Sequence, residues 1–89
     1  APVAYSLLQN YPNPFNPVTT FRWSAPRAAE LRLALYDILG REAAVIFDGF
    51  CEAGVHERTF DARALASGVY FARLDAGSFS QTKKLMLLK

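Results

Sequence analysis

Apolar and polar residues alternate with a period of two along most of this chain, the mark of half-buried β-strands. The clearest case is Leu31, Leu33 and Leu35, interleaved with Arg32, Ala34 and Tyr36, which gives a strand with one strongly apolar face. Asp37-Ile38-Leu39-Gly40 follows as a type I turn, with aspartate at i and glycine at i+3, and Arg41–Phe47 returns as the partner strand. The tip of that hairpin, Ile38 and Leu39, is unusually apolar. Val18–Ser24 is rich in threonine and aromatics, as strands are, and Ser6–Asn10 is a short first strand. Asp48–Gly54, with two glycines, reads as a loop. Val55–Phe60 is the next strand and sets His56, Arg58 and Phe60 on one face. Asp61–Ser67 lacks alternation and holds three alanines, which predicts a helical turn with Leu65 pointing inward. Gly68 releases the chain into the strand Val69–Asp75, Asp75-Ala76-Gly77 reads as a three-residue hairpin loop, and Phe79–Leu88 closes the domain.

One segment breaks the pattern. Tyr11-Pro12-Asn13-Pro14-Phe15-Asn16-Pro17 packs three prolines and two asparagines into seven residues. Proline fixes φ and lacks an amide donor, so the run is neither helix nor central strand. Each Asn-Pro step places a turn-starting side chain before a residue already set for a turn. The run therefore reads as a stiff elbow that bends twice, with Phe15 as an apolar plug.

About seven strands at short, even spacing, with turn signals between them, predict an all-β fold: an immunoglobulin-like β-sandwich of antiparallel strands. A small barrel is the alternative. Tyr70 follows the Leu65–Gly68 corner, where its ring fills core space and its hydroxyl bonds the loop backbone.

Composition bounds the function. The 89 residues make room for one domain, assigned to 5–89, with 1–4 as the remnant of a linker. The absence of an initiator methionine favours a fragment or a processed form. A hydrophobic fraction of 52% favours folding over disorder, and a net charge of +2 is too slight to argue for nucleic acid. No apolar run approaches the ~20 residues of a membrane helix, so no membrane insertion is expected. Cys51 is the single cysteine and reads as a small packed side chain, without the electropositive neighbours a reactive thiol needs.

Catalytic chemistry finds little to work with. The one histidine, His56, has no metal-spaced partner and reads as a half-buried structural imidazole. Ser67 with Asp48 or Asp61 lacks a nucleophile-elbow motif, and turn chemistry explains Asp37, Asp48, Asp61 and Asp75. The Asp48–Glu52 loop lacks EF-hand spacing, and there is no glycine-rich phosphate loop. No cofactor and no enzyme activity are expected. Tyr5, Tyr11, Phe15, Trp23 and Tyr36 fit core packing or surface cover better than a sugar platform. Lys83, Lys84 and Lys89 read as lysines that guard an edge strand.

With these elements in place, the chain resembles the type A C-terminal sorting domain of cargo proteins of the type IX secretion system. The resemblance rests on Gln9–Pro17, Tyr36–Arg41, Ala53–His56, Leu65–Phe71 and Thr82–Lys89, five blocks in order over nearly the whole chain. It departs at Phe60-Asp61-Ala62, where the family often has a tryptophan and a glycine after the aspartate. It departs again at Arg58, where an aliphatic residue is usual, which suggests an edge strand or a shallow inward face.

The resemblance implies a non-catalytic address that directs an upstream cargo through the periplasm and across the outer membrane to the cell surface or medium. Its implied partners are an outer-membrane translocon and a sortase-like cysteine peptidase that cuts before about Tyr5, with possible surface attachment. Its implied recognition residues are Pro12, Asn13, Pro14, Phe15, Asn16, Pro17, Gly68, Tyr70, Lys84, Leu85, Leu87, Leu88 and Lys89. The elbow, the Ile38-Leu39 tip and the Lys84–Lys89 end are the exposed candidates, and the last strand suits β-augmentation by a receptor. The position of the elbow suggests that it holds the linker away from the sandwich. The alternatives are a carbohydrate-binding accessory module or a structural immunoglobulin-like module of a secreted enzyme.

Overall fold

The computed structural model describes residues 2–89, so Ala1 of the expected linker lies outside the described residues. Seven strands form where the alternation predicts them: β1 (Ser6–Leu7), β2 (Val18–Ala25), β3 (Ala29–Tyr36), β4 (Glu42–Cys51), β5 (Gly54–Asp61), β6 (Gly68–Ala76) and β7 (Phe79–Leu87). They make two antiparallel sheets, ordered β1-β2-β5 and β4-β3-β6-β7. In immunoglobulin lettering these are A-B-E and C′-C-F-G, so the sandwich expectation holds and the barrel does not.

The apolar faces meet between the sheets. Leu31, Leu33 and Leu35 of β3 are buried, as are Phe21 and Trp23 of β2, Leu74 of β6, and Leu85 and Leu87 of β7. Trp23 packs at a tilt against Phe47 at 5.5 Å and stacks on the half-buried His56 at 5.8 Å, so the lone histidine is packing. Cys51 is buried, as a small core residue should be.

Several boundaries differ from the sequence reading. Asp48–Gly54 is not a loop: β4 runs on through Cys51 and a tight turn at Glu52-Ala53 starts β5 at Gly54. Gly49 and Asp48 suggested a break, but the register Arg32↔Asp48, Leu31↔Gly49 and Glu30↔Phe50 carries the ladder across it. The helical turn at Asp61–Ser67 reduces to one turn closed by the Leu65 amide on the Ala62 carbonyl at 3.0 Å. Leu65 is half-buried against the core, as expected. The β6–β7 hairpin loop is two residues, Gly77-Ser78, because Ala76 pairs with Phe79. Positive φ falls on the first loop residue alone (Gly77, +59°), the pattern of a type II′ turn. The first strand is only Ser6–Leu7, since the elbow draws the chain away after Leu8.

Tyr70 stands near the start of β6, is buried, and donates its hydroxyl to the Ala66 carbonyl at 2.6 Å. This is the tyrosine corner of immunoglobulin-like sandwiches, and it ties the irregular Ala62–Ser67 corner to the core. Replacing Tyr70 with Phe keeps the ring and strands that carbonyl. The expected loss is about 1–3 kcal/mol of unfolding free energy, read from urea denaturation, with the m-value unchanged.

Candidate recognition surface

The elbow is built from inside by two buried polar side chains. Asn10 and Thr19 are 3% and 1% exposed. The Asn10 amide donates to Thr19 Oγ1 at 3.0 Å and to the Pro12 carbonyl at 3.1 Å, and the Thr19 hydroxyl donates to the same carbonyl at 2.9 Å. Because proline supplies no amide to a ladder, the fold of this segment depends on side chains meeting its carbonyls. Gln9 adds a bond to Asn10 Oδ1 at 2.8 Å. Phe15 then drops into the core at 2% exposure, so the apolar plug is where the sequence put it.

From this base the elbow closes the seam between the two sheets. On one side Tyr11 and Thr20 of β2 exchange backbone hydrogen bonds at 3.1 and 3.0 Å. On the other, Phe15 bridges Leu87 in parallel: its amide donates to the Met86 carbonyl and its carbonyl accepts from the Leu88 amide, both at 3.0 Å. Asn13 Oδ1 accepts from the Met86 amide at 2.9 Å, and the Gln9 amide donates to the Lys84 carbonyl at 3.0 Å. The Pro17 carbonyl accepts from the Ala62 amide at 2.9 Å, which joins the elbow to the corner as well.

This arrangement bears directly on strand addition. Four outward-facing backbone groups there, the Lys84 carbonyl, the Met86 amide and carbonyl and the Leu88 amide, are already engaged by the elbow and Gln9, which leaves the end of β7 little open edge for a receptor.

The structure brings the sequence-predicted recognition residues to one end of the sandwich and divides them. Phe15, Tyr70, Leu85 and Leu87 are buried. Pro12, Asn13, Pro14, Asn16, Lys84, Leu88 and Lys89 are exposed, and Pro17 is half-buried. Gly68, at φ +150°, takes a backbone conformation that side chains disfavour as the chain leaves the corner. Lys89 is fastened there: its ammonium donates to the Arg63 and Leu65 carbonyls at 2.7 and 2.6 Å, and its amide to Ser67 Oγ at 3.0 Å.

The apolar β3–β4 tip lies at the same end, where Ile38 and Leu39 share a shallow groove with Ser67, Gly68, Val69 and Tyr70. Both tip residues are exposed, and the turn beneath them is the one expected, closed by the Gly40 amide on the Asp37 carbonyl. The Arg41 amide, foremost, with the Arg41 guanidinium and the Leu39 amide, holds the Asp37 carboxyl below its ordinary range against a smaller opposing effect of desolvation.

The linker lies elsewhere. The Ala4 carbonyl accepts from Ser24 Oγ at 3.1 Å, and Tyr5 packs on Phe79 at 5.5 Å, beside the Gly77-Ser78 turn. Pairing of β1 with the far end of β2 fixes it there, so the elbow does not hold the linker off the sandwich. The five aromatics form no common platform: Phe15 and Trp23 are core, Tyr5 covers Phe79, Tyr36 lies under Arg73, and Tyr11 projects from the elbow. Arg58 lies over the Phe47 ring at 5.3 Å on β5, which is an edge strand as its charge suggested. Among the described residues no group of three His, Cys, Asp or Glu side chains is placed to hold a metal ion.

Local pattern gives Asn10 and Thr19 no role, because a threonine in a strand and an asparagine before a turn are ordinary in isolation. Their pairing nine residues apart appears only once Pro12 folds back between them.

A family model described as a secretion system C-terminal sorting domain matches residues 9–88. No curated protein and no solved structure matches the chain significantly.

Two predictions arise from this geometry. Phe15→Ala should cost about 3–5 kcal/mol, a large share of the roughly 5–15 kcal/mol of a typical domain. Hydrogen exchange should show the Met86 and Leu88 amides losing protection first. For Asp37, a depressed folded-state pKa means that its stabilisation is complete above the unfolded value of about 3.9 and is lost as pH falls toward the folded one. Urea midpoints recorded against pH should therefore show an acid limb in the parent that Asp37→Asn flattens.

Proposed function

Because the chain belongs to the secretion system C-terminal sorting domain family, it is a sorting signal of type IX secretion, and we propose that the export machinery reads the surface joining its elbow to its terminal strand. A signal of this family takes a cargo protein across the outer membrane to the cell surface or the extracellular space. The domain family is not catalytic.

The parallel bridge between Phe15 and Leu87 carries the reading. It makes one surface of two segments that lie at opposite ends of the sequence, so only the folded domain displays the complete address. On this reading Phe15, Tyr70, Leu85 and Leu87 build the surface from below. Pro12, Asn13, Pro14, Asn16, Lys84, Leu88 and Lys89 present it, while Pro17 and Gly68 set the bends. An outer-membrane translocon component is the reader. Residues 5–89 are the domain and residues 1–4 the linker, in or before which a sortase-like cysteine peptidase cuts. Val3, at 97% exposure, supports that placement, since proteolysis favours exposed segments.

The test is a reporter carrying this domain as its C-terminal tail, expressed in a host with an intact secretion system and in one lacking the translocon. Export is expected only in the first, and deletion of Leu85–Lys89 is expected to abolish it. Export of the truncated fusion at the parental level would rule out the terminal strand as part of the signal. Melting of the truncated domain separates loss of the address from loss of the fold, because the deletion removes two core leucines.

A further inference from the structure

Charge is distributed over this chain with a marked bias. Residues 2–21 carry no charged side chain, and residues 76–89 carry three lysines and no acid. All eight carboxylates lie between Glu30 and Asp75. Six of them are paired with arginines, among them Asp37 at the tip and Asp61 beside the corner. The fold then sets the two carboxylate-free segments side by side, since the elbow is bonded to β7 along the seam. The lysines there differ in kind. Lys89 gives its ammonium to two corner carbonyls, whereas Lys84 is exposed and enters no ion pair among the described residues.

The same seam displays apolar groups on rigid mounts. Tyr11 is 81% exposed although both its backbone groups are bonded to Thr20. Leu8 and Leu88 are also exposed. With its backbone already fixed, Tyr11 has only its two side-chain torsions left to order on contact, which is what makes tyrosine an effective anchor.

We propose that this seam docks on an acidic protein surface that has a cleft for Tyr11 and carboxylates facing Lys84. The inference rests on the sorting reading and adds to it the chemistry of the partner. Complementary charge favours the encounter, and a basic partner would be rejected. A protein suits the seam better than an anionic membrane. Polybasic lipid sites gather about four to eight cations beside an amphipathic or membrane-bound segment, and this seam has one free exposed lysine and a proline-braced elbow.

The experiment uses the reporter fusion above with four substitutions in the tail: Tyr11→Ala, Lys84→Glu, Lys84→Arg, and Phe50→Ser on the opposite edge strand β4 as the control. Thermal melting of each purified domain is recorded beside the exported fraction. Tyr11→Ala and Lys84→Glu should each lower export roughly tenfold or more with the melting temperature nearly unchanged. Lys84→Arg and Phe50→Ser should remain near the parent. Export of the Tyr11→Ala and Lys84→Glu fusions at the parental level overturns the docking surface while leaving the sorting function intact. An equal loss with Phe50→Ser overturns its location. Co-sedimentation of the parental domain with phosphatidylglycerol vesicles, abolished by Lys84→Glu, overturns the protein partner in favour of a lipid one. Failure of the parental fusion to be exported overturns the sorting reading itself.

Discussion

A sandwich is two sheets held face to face mainly by apolar contact, and its open sides are where it would part. Here one side is fastened by a segment with almost no ladder of its own. The Pro12 carbonyl draws in the Asn10 amide and the Thr19 hydroxyl, that folding aims Phe15 into the core, and Phe15 then bridges Leu87. Each step needs the one before it. Without the side chains of Asn10 and Thr19, the Pro12 carbonyl would lose both of its donors, at about 1–3 kcal/mol. Without Phe15 in place, the terminal strand would lose the partner on its outer side. The cohesion of the fold and the display of its exposed face thus depend on one constraint.

Exposed sheet edges invite unwanted pairing, and this domain blunts each of its four edges by a different means. β1 is only two residues long. β4 carries two register irregularities opposite Leu33–Tyr36. β5 turns Arg58 toward the inner side, where the guanidinium lies on Phe47 instead of facing empty solvent. β7 is covered by the elbow over its last residues. A receptor meeting the folded domain at the end of β7 finds side chains more readily than free backbone, which there favours recognition by shape and charge over strand addition.

Much of this was legible in the chain. Period-two alternation located the strands of the sandwich because one face of each is buried, and Tyr70 and Asp37 were placed by turn and corner chemistry that is local. What failed was the join between β4 and β5. Gly49 and Asp48 look like loop residues by local preference, yet pairing with β3 across the sheet outweighs that preference. The length of the β6–β7 loop was missed by one residue, because Gly77 supplies a positive φ in either register. At the candidate surface, the membership of the elbow and the terminal strand came from motif resemblance. Their contact did not, because no periodicity encodes a meeting between residues 15 and 87. The division of the recognition residues into buried and exposed halves follows only from that meeting.

Tyr5 and the Ala4 carbonyl lie beside the Gly77-Ser78 turn, while Lys89 is fastened to the corner at the other end of a molecule 36 Å long. A pull between the two therefore runs lengthwise through the sandwich. The bonds of β1 to β2 and of the elbow to β7 meet such tension in shear, sharing the load, and do not peel apart one after another.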